Sequence, residues 1–596
     1  MFNQYFIQEK ENLNQIGAAF STVNPTLSQY LKYASGDPDV ERLLEGVAFL
    51  SAMLRQKLDD DFPEIIHDLI QLIWPHYLRP LPSSTIIAFK PKKTFRQTQS
   101  VSKGTYIDSI PVQISDDDDD EKPTCTYQTC SNVIVYPLEI VNAIFKNPAG
   151  KSPYVKVCIK LNGISLNDLN TNSLRFFLSG DYRHTSNLFF TLLRFCKRIE
   201  IRSADNENTY ILKPEEALKP VAFSDNEEMI PFPINSFSGF RLIQEYFLFS
   251  EAFLFIDLIG LENWKDRGDG DSFDIYFVLN ELPFDIKVDI NTFVLYASTA
   301  INVYDSFADT IIIDHKKTEY PVTVLDKEQS FYQIFSIEKV IGYMRGTAEE
   351  REYIPFDHYK KDLTSFPVFK MAQKESPVQK EPEIQHGSLR VYRNVDTYLS
   401  LTYPEHAQIS FDEILSTSIK CTDGILPDYL KTGDISQPTE SSPEFMEFSN
   451  ITQPTQNISA PVGKNVLWRL LSHLYLNFQS LSEISSLKSV LNIYLFEECR
   501  NRYANQIKIN EGIVSIKTKN CDRFVNGGLR RGVEIILEAR HDKFASIGDL
   551  YLFGSILDIF FSKAISINTF TQLTIIDIIK KEFIKWPARI GDRTLI

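Results

Sequence analysis

The densest set of potential metal ligands is Asp266-Arg267-Gly268-Asp269-Gly270-Asp271-Ser272-Phe273-Asp274. Carboxylates this close together suit a hard cation such as calcium. The spacing is not that of an EF-hand, however, and the closing glutamate is absent. A hairpin loop that uses Gly and Asp for turn geometry is the expected role. Asp59-Asp60-Asp61 raises the question of paired catalytic carboxylates. Its surroundings read instead as a solvated helix end followed by the cap of a second helix. None of the nine histidines lies three or four residues from another, so there is no helical zinc motif. Cys125 and Cys130 form a CxxxxC pair with no partner pair at zinc-finger spacing. Neither a GxxxxGK[ST] phosphate loop nor a GxGxxG turn occurs. Phe553-Gly554-Ser555-Ile556 lacks the flanking glycines of a nucleophile elbow. The expectation is a chain with no catalytic, cofactor or metal residues.

The elements around these residues point to packing. Residues 1–82 read as helical, beginning with Leu13, Ile16, Phe20 and Val23 at helical spacing. Asp37 is a candidate N-cap, and Pro38 sits at the first helical position. Val40, Leu43, Leu44, Val47, Leu50, Leu54 and Leu58 then form an apolar stripe. Glu41 and Glu45 lie one turn apart on the polar face, where a basic partner helix could meet them. A second helix is predicted from Pro63, stopping before Pro75.

From Ser83 the period shortens. Ile86 to Phe89, Val133 to Tyr136, Val155 to Cys158 and Phe273 to Val278 read as strands. A helix is predicted from Ser186 to Cys196. Ser115 to Glu121 is a solvated acidic loop. Residues 372–386 have the Pro, Glu, Gln and Lys content of a disordered linker. Beyond it, Val466 to Leu474, Ile484 to Glu498 and Asp549 to Ile565 read as helices. Ile513 to Ile516, Val533 to Leu537 and Phe570 to Ile579 read as strands. Trp586 to Arg589 reads as an extended tail, with Trp586 as its docking anchor or a partner contact. The fold class is α+β and multidomain. The expected regions are a helical core-bundle region at 1–82, β-rich middle domains at 83–371, a disordered linker at 372–387 and a mixed α+β region at 388–596.

Bulk properties narrow the function. The net charge of −16 argues against general binding to nucleic-acid phosphates. Seven scattered cysteines suit a reducing compartment better than a disulfide framework. No apolar run reaches membrane-span length, so direct membrane insertion is not expected. With 43 Phe and 27 Tyr, the chain has enough aromatic area for several cores and for large interfaces.

The segment GDPDVERLLEGVAFLSAMLRQKLDDDFPEIIHDLIQLIWPHYLRPLPS, Gly36 to Ser83, resembles the N-terminal signature of the TssF family of type VI secretion baseplate proteins. Gly239 to Phe247, Cys421 to Pro427, Leu467 to Leu474, Phe553 to Leu573 and Trp586 to Arg589 are similar to further family blocks in the same order. Ser250 stands where the family usually has proline. Trp74 takes the place of the aromatic before Pro75. The resemblance implies a structural wedge subunit of a contractile, phage-tail-like baseplate. Its implied partners are one TssG for two copies of this chain, TssE, TssK, the VgrG spike and the tube protein Hcp. It implies a cytoplasmic protein docked at the inner membrane through the secretion complex. A wedge protein of a phage or phage-derived injection particle is the alternative. A cytosolic metal-dependent hydrolase acting at Asp266–Asp274 is a remote one. The residues expected at partner interfaces are Val40, Leu43, Leu44, Val47, Leu50, Leu54, Trp468 and Trp586.

Overall fold

A computed structural model describes residues 6, 7, 10, 38–92, 94–113, 122–205, 209–232, 237–282, 284, 286–325, 331–344, 350–356, 366–376, 383–385, 388–390, 395–404, 413–462, 483–496, 498–525 and 528–591. The chain divides into two compact units. One comprises residues 1–73 with 463–471, and the other residues 74–462 with 472–596.

In the first unit, helix α1 (Pro38–Ile73) runs unbroken for 36 residues. The predicted break at Pro63 does not occur. Proline removes one backbone donor and crowds the preceding turn. Here the remaining i→i−4 bonds carry the helix through it.

The second unit is α+β and built from several mostly antiparallel sheets. A six-stranded sheet runs in the order Ile435–Pro438, Tyr106–Ser109, Thr126–Thr129, Ala297–Ile301, Ser84–Pro91, Met446–Asn450. Ser84–Pro91 lies inside it, with Ile87 opposite Ser298 on one side and Phe89 opposite Phe448 on the other. Its apolar run Ile86-Ile87-Ala88-Phe89 is buried on both faces, hence its lack of polar alternation. In a five-stranded sheet, Tyr154–Leu161 and Ser272–Leu279 instead alternate, with one face toward the core.

A larger sheet takes in the first residues of the expected linker. Val368–Glu375 pairs in register with Val395–Thr402, from Val368 opposite Thr402 to Glu375 opposite Val395. Ala372 to Glu375 are therefore strand, and Glu383–Gln385 pairs with Ser388–Arg390. The strands on either side of this stretch, Val368–Glu375 and Val395–Thr402, are neighbours in one sheet. The acidic run at 115–121 and the predicted helix at 466–474 lie outside the described residues.

Three helices position the centre of this unit. Helix α2 (Tyr182–Arg194) starts at an Asp181 cap whose side chain accepts from the Arg183 N–H. Helix α3 (Gly239–Leu248) carries the Gly239–Phe247 block. The third, α4 (Ile547–Ala564), is apolar nearly all round and correspondingly buried. It packs against α2, α3 and the strand Phe570–Asp577. It also explains the local topology. Gly528–Ala539 and Phe570–Asp577 lie parallel, and parallel neighbours need a crossover, which α4 supplies. Beyond Phe570–Asp577 the chain does not trail off. Phe583–Lys585 and Arg589–Ile590 both pair back onto that strand.

Candidate interaction surfaces

The face that α1 turns inward is made of small and branched residues. Ala48, Ala52, Ile66 and Ile70 are buried, at the spacing of one helical side. The larger apolar residues flank it and are open to solvent. Val47 is 40% exposed and Leu50 67%, and Phe49, Met53, Leu69, Leu72 and Ile73 are exposed too. One surface helix with seven such side chains carries far more apolar area than singly scattered residues would. Of the residues expected at partner interfaces, Val47 and Leu50 are on this open surface. The side chains of Val40, Leu43, Leu44 and Leu54, and the whole of Trp468, lie outside the described residues. Glu45 pairs with Lys10 of its own chain at 2.7 Å.

In the second unit, residues from several of the quoted sequence stretches are buried. His76 stacks in an aromatic box, with ring centres 4.4 Å from Phe232 and 6.4 Å from Phe240 and Tyr494. Its Nε2 is 3.3 Å from the Tyr494 hydroxyl. Burial and the neighbouring Arg79 charge hold its pKa down at about 3, so the ring is neutral. Asp423 of the Cys421–Pro427 block is fully buried. It accepts from Thr126 N–H at 3.0 Å, Asn302 Nδ2 at 2.6 Å and the Tyr304 hydroxyl at 2.7 Å.

Asp549, at the start of α4, joins several elements. Its Oδ1 accepts from the Tyr182 and Tyr246 hydroxyls, both at 2.7 Å. Its Oδ2 accepts from Ala545 N–H at 3.0 Å and lies 2.9 Å from Lys508 Nζ. Lys508 also donates to the Tyr246 hydroxyl at 3.1 Å. Burial opposes the Asp549 charge, but Lys508 and the two hydroxyls outweigh it and hold the carboxyl below its usual range. Burial and that charge push both tyrosines well above theirs. Helix α4 reaches this position because Gly548 has no side chain. A Cβ there would stand 2.0 Å from the Ser186 carbonyl oxygen of α2. A cavity of about 750 Å³ opens alongside, lined in part by Tyr182, Tyr246, Arg500, Lys508 and Asp542. Both oxygens of Asp549 are committed to donors, so the carboxylate has no lone pair poised to abstract a substrate proton. Sequence reasoning missed this hub, although Ser546-Ile547-Gly548-Asp549 has capping-box spacing before an apolar run. The Ser546 hydroxyl does accept from the Asp549 N–H at 3.0 Å.

Trp586, expected at a partner interface or as the tail's anchor, is seated inside its own chain. The ring stacks on Tyr551 at 5.6 Å, and Nε1 donates to Ser555 Oγ at 3.1 Å. Gly554 makes the slot, since a Cβ there would lie 2.4 Å from the indole. Arg589 pairs with buried Asp558, whose pKa burial nevertheless pushes up to about 6.

The Asp266–Asp274 loop is arranged for packing. The Arg267 guanidinium donates to the carbonyls of Trp264, Leu169 and Leu261. Asp269 accepts from Asn167, and Asp274 pairs with Lys156 at 2.7 Å. Among the described residues, no group of three or more His, Cys, Asp or Glu side chains is placed to hold a metal ion. Nor, among those residues, is any helix long and apolar enough to cross a membrane.

A family model described as type VI secretion system, TssF, matches residues 1–593. The chain belongs to this family. It is 27% identical over 631 aligned residues to the type VI secretion system component TssF1 of Pseudomonas aeruginosa, covering 99% of this chain and 98% of the relative. Among solved structures, it is similar to a chain of the type VI secretion TssK-TssF-TssG baseplate subcomplex determined by cryo-electron microscopy. That match has a TM-score of 0.76 at 26% identity and covers 93% of this chain and 99% of the other. The fold also matches a chain from a type VI secretion baseplate complex, with a TM-score of 0.62 at 23% identity over the whole of both chains. Members of the family are baseplate components. His76, Asp423 and Trp586, from the stretches that carry the resemblance, are each held by contacts within the chain.

Proposed function

We propose that this chain is a structural wedge subunit of a type VI secretion baseplate and performs no covalent chemistry. Two copies join one TssG, with TssK and TssE attached, and the wedges surround the VgrG spike and recruit Hcp. The complex works in the cytoplasm, docked at the inner membrane through the secretion machinery. The observation that carries this reading is the open apolar surface of α1, in a family whose solved relative sits in a TssK-TssF-TssG subcomplex. Such an area favours a permanent helical interface over life as a free monomer. Co-expression with the cognate TssG tests it. The expected product is a stable complex with two copies of this chain to one TssG. A chain that purifies alone as a well-behaved monomer in the presence of TssG contradicts it.

A further inference from the structure

A long hairpin formed by Ile513–Val525 and Gly528–Ala539 projects from the C-terminal sheet. Its second strand is supported by Phe570–Asp577 only as far as Gly532, opposite Phe570. Beyond that point, among the described residues, Asp522–Val525 and Gly528–Arg531 pair only with each other. Four residues per strand at roughly 3.3 Å each give an overhang of about 13 Å. A two-stranded ribbon by itself is marginal in water, so an overhang needs something to pack on.

The side chains of the overhang have the pattern of a contact surface. Ile516, Leu537 and Ile535 lie on the face that packs inward at the base. The same face continues outward through the opposed pairs Asp522–Arg531 and Phe524–Leu529. At the end, Phe524 is 80% exposed and Leu529 68%. The core face of the sheet thus runs past its own domain and ends in two open apolar side chains. Residues 517–531 hold Lys517, Lys519, Arg523, Arg530 and Arg531 against Asp522 alone, a net +4 in a chain of −16. Arg523 is engaged with Glu534 and Gln572 and Lys517 with Glu538 at 3.0 Å, whereas Arg531 shares the face of the apolar pair, opposite Asp522, and Arg530 follows Leu529 on the other face.

We propose that this overhang is a docking arm that inserts Phe524 and Leu529 into an apolar pocket, rimmed by carboxylates, on another subunit of the wedge. This rests on the wedge reading above. The charge pattern selects the occupant. A basic collar around an apolar tip is complementary to an acidic rim and steers toward it. Side-by-side pairing with a second copy through the outer edge of Ile513–Val525 is opposed, because lysines along an edge strand resist strand addition. Self-pairing would also bring Lys517 and Lys519 near the same charges of the other copy.

Amide hydrogen exchange of residues 519–531, in the free chain and in the complex with cognate TssG and TssK, tests the arm. The expected result is strong protection on assembly. Phe524→Asp with Leu529→Asp, and separately Arg530→Glu with Arg531→Glu, should each abolish that protection and weaken incorporation of one subunit at least tenfold. The melting temperature of the free chain should not change, because the tip is already exposed. Equal exchange in both states with unchanged assembly of the variants overturns the proposal and leaves the wedge reading intact. Concentration-dependent protection in the chain alone would assign the tip to a second copy. Protection by phosphatidylglycerol vesicles would assign it to lipid. Either outcome also overturns the proposal. If no complex with TssG or TssK forms at all, the wedge reading itself has failed.

Discussion

Asp549 ties α4 to two tyrosines and a lysine from other elements. Asp549→Ala would take the ion-pair partner from the buried Lys508 and would strand two tyrosine hydroxyls. Breaking a buried pair on one side costs about 3–5 kcal/mol. Urea denaturation should register that loss, with Asp549→Asn milder because it keeps an acceptor for the tyrosines. Two other buried groups give opposite pH responses. His76 has a folded pKa near 3, below the ordinary 6.5, so the unfolded chain takes its proton first. Its contribution is complete above pH 6.5 and is lost as pH falls, by up to about 1.4 kcal/mol per pH unit. Asp558 has a folded pKa of about 6, above the ordinary 3.8, so the folded chain holds its proton more tightly. Its contribution is complete below pH 3.8 and is lost as pH rises through 6. Stability curves between pH 7 and 4 should therefore separate in opposite directions. His76→Gln should lose less stability on acidification than the parent, and Asp558→Asn should lose more. Parallel curves for all three proteins would contradict both assignments.

At the scale of elements, the C-terminal tail is fastened by one ring in one slot. Gly554→Ala would put a methyl group into the space of the Trp586 indole. Overpacking of this kind costs about 1–3 kcal/mol, and displacement of the ring should shift Trp586 emission to longer wavelength. Trp586→Ala should cost about 3–5 kcal/mol and expose residues 578–591 to limited proteolysis. An unshifted Gly554→Ala spectrum would mean that the ring is not held there. These elements also mark what the sequence could and could not convey. Helix α1 was legible from capping residues and an apolar period, and the strand Val533 to Leu537 from β-branched alternation. The weaving of Phe583–Lys585 and Arg589–Ile590 onto Phe570–Asp577 was not. Nor was the pairing of Ser84–Pro91 with Met446–Asn450. Which strands pair leaves no trace in local periodicity, over the short stretch from Phe570 to Ile590 or the long one from Ser84 to Asn450. The Pro63 break failed for a related reason, since a local penalty was outweighed by the long helix around it. Of the residues expected at partner interfaces, Val47 and Leu50 are exposed on α1. Trp586 could not be assigned, because a tryptophan suits an intramolecular slot and a partner pocket equally.

At the scale of the whole molecule, a second unit with many buried polar ties contrasts with a first unit in which seven described apolar side chains of the long helix are exposed. We propose that the open side of α1 is the surface that meets TssG, and the masses of complexes formed with cognate TssG test this. The parent chain should give two copies per TssG. Val47→Asp with Leu50→Asp should leave a folded chain, unchanged in melting because both positions are already exposed, that no longer joins TssG. A doubly substituted chain that still assembles two to one would show that this face of α1 is not the partner surface.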